Sequence, residues 1–557
     1  MEREAMKSVH EPLAALLLIL GIILILGCGS GVDSSASLTD GESPSYAVPA
    51  SLDDGWTPAS PEDVGLDREP LEAMTAAIRR GDYRNVHAVL IAKDGRLVYE
   101  EYFTGTDRRP ETGDYAETVT WTFDRETPHT TRSAAKSFTS ALVGIAIEEG
   151  AIPSVESPVL ELFPEYVSGT DPDARGIMLD HLLTMTPGLQ WDQMSLPYSD
   201  PDNSETAMYA SEDPAAFVLS RSLAEQPGSQ WTYSSGTTIL LGLVLHRATG
   251  IRFADYIETR LFDPLGIERF DWTGSAAWSD HPAFAWEGSE PWEMTRAADP
   301  AGSLWLRPRD MLKLGQLFAD GGSWLGTQVV PAKWVKASLE PRVARGVEPI
   351  EYPNGTVQHR WFGYQWWHER YELPWGETTV HYASGNGGQK IWLVPALGLT
   401  VVHLTGNFSR SGSSREADRL LLERIVPWGL GVEADYRHHL NLEPVEVDPA
   451  EWPLTGLSPE EQARYVGTYQ SGDQQVEIRA IDDRIRVVPP LGDGPVDLIP
   501  TGPRSFVSGA VHRDSVAHLY FPDERLVFVV DDTGATTGFD FVDGQEVVDA
   551  WERTPNP

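Results

Sequence analysis

The sequence predicts a mixed α/β fold, α+β in its arrangement: an antiparallel sheet flanked by helices, with a helical subdomain and a small C-terminal all-β domain. Three observations predict it. An apolar hairpin stands near residue 85, helical runs dominate from Ser133 to Ala319, and strand-like runs return at Thr379 and recur to the C-terminus. Helices inserted between an early hairpin and late strands cover a sheet rather than alternate with its strands.

Taken in order, the chain opens with an apolar run from Leu13 to Gly27, preceded by Arg3 and Lys7 and ended by Cys28. Small and polar residues follow from Gly29 to Ser37. This is the layout of an export signal. The run is shorter than the roughly 20 apolar residues that a spanning helix needs. Cys28 is the only cysteine, so an intramolecular disulfide is excluded and a multi-cysteine zinc site with it. Residues 1–28 therefore read as a signal segment and 29–54, rich in Ser, Gly, Pro and Asp, as a flexible tether.

A first folded domain is expected over residues 55–430. Asn85 to Ala92 and Arg96 to Phe103 are two apolar strands around Lys93-Asp94-Gly95, a hairpin with an Asp-Gly turn. From Ser133 to Gly150 the pattern becomes helical and apolar on most faces, which requires burial. Further helices are expected at Pro214–Leu223, Ile239–Thr249 and Arg309–Ala319, and strands between Thr379 and His403. A second domain, residues 445–557, carries short strand-like runs such as Val476–Arg479, Arg484–Val488, Ala517–Phe521 and Leu526–Val530, punctuated by Asp, Gly and Pro, and reads as a β-barrel or sandwich. A chain of 557 residues is longer than one core usually fills, in keeping with two domains.

With 43 basic and 83 acidic residues the formal charge is −40, which repels phosphate backbones; nucleic acid is not an expected partner. There is no Gly-x-Ser-x-Gly elbow and no His-Glu-x-x-His, and His438-His439 diverge on any regular element. Neither a metal nor another cofactor is expected. The aromatic group Trp361 to His368 either walls a substrate pocket or fills the core, and core filling is the expectation.

Among the lysines, only Lys136 has a serine three residues before it. Ser133-Ala-Ala-Lys136 opens the buried helix, where residues three apart share a face and the terminal N–H groups favour negative charge. Serine needs a base within hydrogen-bond reach, and a buried lysine can supply one. About a hundred residues later comes Tyr233-Ser234-Ser235-Gly236, and later still His381-Tyr-Ala-Ser384-Gly385-Asn386-Gly-Gly-Gln389 ahead of an apolar strand.

In that order the three segments resemble the motifs of the serine β-lactamase-related, penicillin-binding-protein-like hydrolases, whose fold is of the β-lactamase/transpeptidase type. His181-Leu-Leu-Thr-Met-Thr-Pro-Gly188-Leu189, Leu261-Phe-Asp-Pro-Leu-Gly-Ile and Gly302-Ser-Leu-Trp extend the likeness over roughly residues 55–425. Within this class C β-lactamase-like group, the chain looks nearest the branch of 6-aminohexanoate-dimer hydrolases and carboxylesterases. The resemblance implies Ser133 as nucleophile, Lys136 as base and Tyr233 as proton relay. It implies backbone N–H groups of Ser133 and Asn386 as oxyanion hole, and Ser235, Ser384 and Gly385 as substrate-binding residues. Ile25-Leu26-Gly27-Cys28 likewise resembles a lipoprotein processing site, implying lipidation of Cys28 and an exported protein anchored in the cell envelope. Tyr465-Val-Gly-Thr-Tyr469 resembles the lipocalin-like appendages of the family.

The expected activity is hydrolysis of a small ester, amide or peptide-like substrate through an acyl-enzyme. The rival readings are a β-lactamase or D,D-peptidase on cell-wall-like substrates, and a non-catalytic binding or sensor lipoprotein on the same fold. The absence of Lys or His immediately before Ser384 argues against the former, and the retention of Ser133, Lys136 and Tyr233 together against the latter.

Overall fold

The hairpin forms where the sequence puts it. The strands Val86–Lys93 and Arg96–Tyr102 pair antiparallel, and Asp94 and Gly95 both take positive φ (49° and 76°), as a two-residue hairpin turn requires. The computed structural model describes residues 46–554 apart from 108–118, 286–296, 433–444, 447–455, 489–495 and shorter stretches of up to four residues. Cys28, the expected signal segment and the expected tether up to residue 45 lie outside the described residues. Among the described residues no helix is long and apolar enough to cross a membrane.

The hairpin belongs to a larger sheet. Its strands run in the order Thr57–Pro58, Arg96–Tyr102, Val86–Lys93, Leu399–Thr405, Gln389–Val394, Gly376–Gly385, Trp367–Leu373, Val357–Phe362, Val343–Ala344. Apart from the parallel Thr57–Pro58 contact, these pairs are antiparallel. Alternation along Val86–Lys93 sends Ala88, Leu90 and Ala92 into one core and Val89 and Ile91 into the other. The first core holds the helices Ala135–Glu148, Ser235–Thr249 and Pro308–Ala319; the second holds Glu69–Arg80 and the segment Leu420 to Trp428. The sheet is thus a central layer with helices on both faces.

Two boundaries differ from expectation. The helix expected at Ile239 begins at Ser235, because the Ser234 hydroxyl caps the N–H of Thr237, and the buried residues Ser235, Gly236, Thr237 and Thr238 carry no apolar signal. The end of the tether is held in place: Tyr46 N–H donates to Glu72 and its hydroxyl to Val98 O, while Arg309 donates to Asp54 and Ala50 O.

The C-terminal strands form a second sheet from Val445–Glu446 to Glu546–Arg553. A further pairing of Ser505–His512 with Glu524–Val530 closes it into a barrel around Tyr469, Ile478, Ile485, Leu498, Phe506, Phe528 and Phe539. Of the expected barrel or sandwich, the barrel is what forms. Ser45–Pro557 is one compact unit, within which Arg479 of the barrel lies 3.7 Å from Asp192.

Candidate active site

Ser133 is delivered by a short strand and a sharp turn. His129 and Thr130 pair with Leu306 and Trp305, and Thr131 donates from both its N–H and its hydroxyl to Leu304 O (2.8 and 3.0 Å). Arg132 then adopts φ 47°, the left-handed region that side chains with a Cβ avoid, and the chain turns into a 3₁₀ segment, Arg132–Ala134, and the helix Ala135–Glu148. Such strain beside a reactive residue persists only where the surroundings hold it. Here the guanidinium of Arg132 stacks on Phe408 at 4.7 Å. The turn leaves Ser133 half-buried at a helix start, where N–H groups lack intrahelical partners.

Lys136, one helical turn on, is 3% exposed. Its Nζ lies 3.1 Å from Ser133 Oγ and donates to Ala301 O at 2.7 Å. The Ala301 carbonyl is itself fixed: Asp299, buried, accepts from Ala301 N–H (2.7 Å) and from the Tyr209 hydroxyl (2.7 Å). Burial raises the Asp299 carboxyl above its ordinary range, against the opposing pull of Tyr209 and Lys136. Glu205 is raised likewise by burial, with the Lys136 charge and the Ser235 hydroxyl opposing. Lys136 is thus held by one carbonyl and interacts electrostatically with two raised carboxyls.

Tyr233 precedes the capped helix Ser235–Thr249, and its ring centre lies 5.3 Å from Lys136 Nζ. Its other neighbours are Trp231 (6.2 Å) and Trp367 (5.8 Å), which form an aromatic cluster with Phe362. The expected core-filling aromatic group divides: Trp366 is fully buried, whereas half-buried Trp367 stands beside Tyr233.

The third segment meets the first. A Cβ placed on Gly385 would lie 2.3 Å from Thr131 O and 2.9 Å from Arg132 Cβ, so the end of the Gly376–Gly385 strand presses on the turn before Ser133 and brings exposed Asn386 to it. Ser384 occupies the alternate face, across from Lys390 and on the side of Tyr382 and the second core. Ser235 is fully buried. Its hydroxyl accepts from Gln193 Nε2 (2.9 Å) and its N–H donates to Gln193 Oε1 (2.8 Å). Geometry thus gathers Ser133, Lys136, Tyr233, Gly385 and Asn386; Ser235 is engaged by Gln193, and Ser384 lies on the strand face opposite Gly385. Sequence reasoning missed Gln193, Tyr209, Asp299 and Ala301. The only trace of the last two was their place just ahead of the Gly302-Ser-Leu-Trp segment.

Comparison with known proteins gives the following. The profile of the Beta-lactamase family matches residues 74–424. The 6-aminohexanoate-dimer hydrolase of Paenarthrobacter ureafaciens is 25% identical over 292 residues, 50% of this chain and 66% of that protein. Penicillin-binding protein 4* of Bacillus subtilis (strain 168) is 28% identical over 185 residues, 32% of this chain and 36% of that protein. The chain thus spans about two thirds of the first relative's length and about a third of the second's. Among solved structures, the octameric penicillin-binding protein homologue from Pyrococcus abyssi aligns with a TM-score of 0.46 at 18% identity, covering 88% of this chain and 99% of that one.

Proposed function

The chain belongs to the beta-lactamase family and has its fold, and from that premise we propose that it is a serine hydrolase of small esters or amides. The observation that carries the proposal is the 3.1 Å separation between Lys136 Nζ and Ser133 Oγ at the floor of a turn held by three separate segments. A neutral lysine at that distance accepts the serine proton as Oγ bonds to the substrate carbonyl carbon. The carbonyl oxygen takes the negative charge, and the N–H groups of Ser133 and Asn386 are the donors we assign to it. Tyr233 relays the proton to the departing alcohol or amine, the acyl group stays on Ser133, and water releases it as the acid.

Two features support an apolar or aromatic group on the substrate. Tyr233, beside Lys136, packs against the apolar cluster of Trp231, Phe362 and Trp367, and no cationic side chain immediately precedes Ser384 to bind a substrate carboxylate. That combination suits an uncharged ester or amide better than a β-lactam. By the same proposal the protein is exported, with a lipid on Cys28 holding it to the envelope.

The test follows hydrolysis of a short p-nitrophenyl ester, a linear amide and a β-lactam by the protein and by Ser133→Ala. Turnover of ester or amide, lost in the variant, is the expected result. Preference for the β-lactam would move the assignment to a β-lactamase or D,D-peptidase. Inertness towards all three, with no adduct on Ser133, would leave a binding protein.

A further inference from the structure

Beneath the turn that carries Ser133, three side chains with no part in the hydrolase chemistry meet in the interior. His87 comes from the strand Val86–Lys93, Asp107 from the end of Thr104–Asp107 and His129 from His129–Thr130, and all three are buried to 1% exposure or less. One ligand atom from each lies within 4.8 Å of the others. They are twenty or more positions apart in the chain, so no spacing motif announced them.

Hydrogen bonding fixes which ring nitrogens face inward. Asn85 is oriented by two bonds, accepting from Thr106 N–H at Oδ1 (2.7 Å) and donating from Nδ2 to Thr106 O (2.8 Å). His87 Nε2 therefore faces two oxygen acceptors, Thr106 O (3.1 Å) and Asn85 Oδ1 (3.3 Å), and carries the ring proton. Its Nδ1 lone pair points at His129 Nε2, 2.8 Å away. His129 Nδ1 lies 3.2 Å from Thr130 O, an acceptor for that ring's proton when its Nε2 carries the lone pair. In that tautomer both inward nitrogens present lone pairs, the state a shared cation requires; in the other, His129 Nε2–H donates to His87 Nδ1. Imidazoles whose outer N–H groups are held by oxygen acceptors, with a carboxylate beside them, have the orientation that metal-bound histidines adopt.

The His87 ring is also locked before any ligand arrives. Phe123 stacks on it at 3.9 Å and 15°. A Cβ on Gly105 would stand 2.6 Å from its Cδ2, and one on Gly406 2.7 Å from its Cε1, so only glycine fits on either side. At metal–nitrogen distances of about 2.0–2.1 Å, nitrogens 2.8 Å apart subtend an angle near 90°, and a small outward shift of one ring opens it further. Two imidazoles and one carboxylate suit zinc and its first-row neighbours; calcium and magnesium prefer all-oxygen sites.

We propose that His87, His129 and Asp107 bind one divalent transition-metal ion, zinc or a first-row ion of similar preference, which ties three strands together behind the segment that enters Ser133. Its role is structural, since the ligands are buried and lie outside the hydrolase site.

The experiment uses the full chain, stripped with a chelator and then titrated separately with Zn²⁺ and Co²⁺. Expected are one tightly held ion per chain, Co²⁺ ligand-field bands, and a rise in Tm on adding Zn²⁺. The bands vanish in His87→Ala and weaken in Asp107→Asn, but persist in His359→Ala, which removes a histidine remote from the cluster. Should His87→Ala fail to fold, Asp107→Asn and the chelator-reversible Tm shift of the parent carry the test. Two results would overturn the proposal: no ion above background in the parent, or Co²⁺ bands unchanged in both His87→Ala and Asp107→Asn. Either would mean that the facing nitrogens share a proton instead.

Discussion

Gly385 touches the carbonyl of Thr131 so closely that a Cβ there would lie 2.3 Å from the oxygen. One atom therefore sets how near the strand bearing Asn386 comes to the turn bearing Ser133. Gly385→Ala forces strand and turn apart, at a cost of about 1–3 kcal/mol for overpacking. The expected outcome is a Tm lowered by several degrees and a fall in kcat/KM of tenfold or more, because the proposed oxyanion donors separate. A variant with full activity would show that the contact does not position the site.

Asp299 holds the loop whose Ala301 carbonyl accepts a hydrogen bond from Lys136. Asp299→Asn keeps the shape but exchanges one acceptor for an NH₂ group facing the Tyr209 hydroxyl or the Ala301 N–H. We expect kcat to fall by ten- to a hundredfold with KM little changed, and Tyr209→Phe to have a smaller effect in the same direction. Steady-state kinetics of the two variants provide the check.

Burial holds the His403 imidazole down at about 4, with its Nδ1–H donating to Gly388 O. His381 is lowered to about 4 for the same reason. In the unfolded chain both titrate near 6.5. Between those values the unfolded state binds protons that the folded state refuses, so the contribution is present above pH 6.5 and is lost as pH falls towards 4. For His403 the loss amounts to roughly 3 kcal/mol. Urea unfolding from pH 7 to pH 4 is expected to show this decline, with a shallower slope for His403→Gln.

Glu369 and Arg345 form a buried pair at 2.9 Å, to which Tyr371 and Tyr382 add hydroxyl donors. Arg345 also stacks on Trp367 at 4.2 Å, in the apolar cluster that Tyr233 packs against. Arg345→Met strands the carboxylate and is expected to cost about 3–5 kcal/mol, part of which Arg345→Met/Glu369→Gln restores. Denaturant unfolding of the single and double variants measures both effects.

How far the sequence could be read depended on distance along the chain. The Asp94-Gly95 hairpin and the helix after Ser133 were legible because their signals, two apolar strands around an Asp-Gly turn and a continuous apolar run, are local. Ser133 and Lys136 were legible as a pair because one helical turn joins them. The support of Lys136 by Ala301 spans 165 positions and has no local trace. Ser384 illustrates a different limit: which face of a strand a residue occupies follows from register, and here Gly385 takes the side of the turn. In the C-terminal region the strands were readable one by one, whereas barrel closure between Ser505–His512 and Glu524–Val530 depends on a pairing that local pattern does not encode.

The most direct test of the central claim is intact-mass spectrometry of the protein after brief exposure to a slowly released p-nitrophenyl ester, with the modified peptide then mapped. One acyl group per chain, located on Ser133, absent from Ser133→Ala and formed far more slowly in Lys136→Ala, is the expected result. Ester turnover that persists in Ser133→Ala, or an adduct mapped elsewhere, would contradict it.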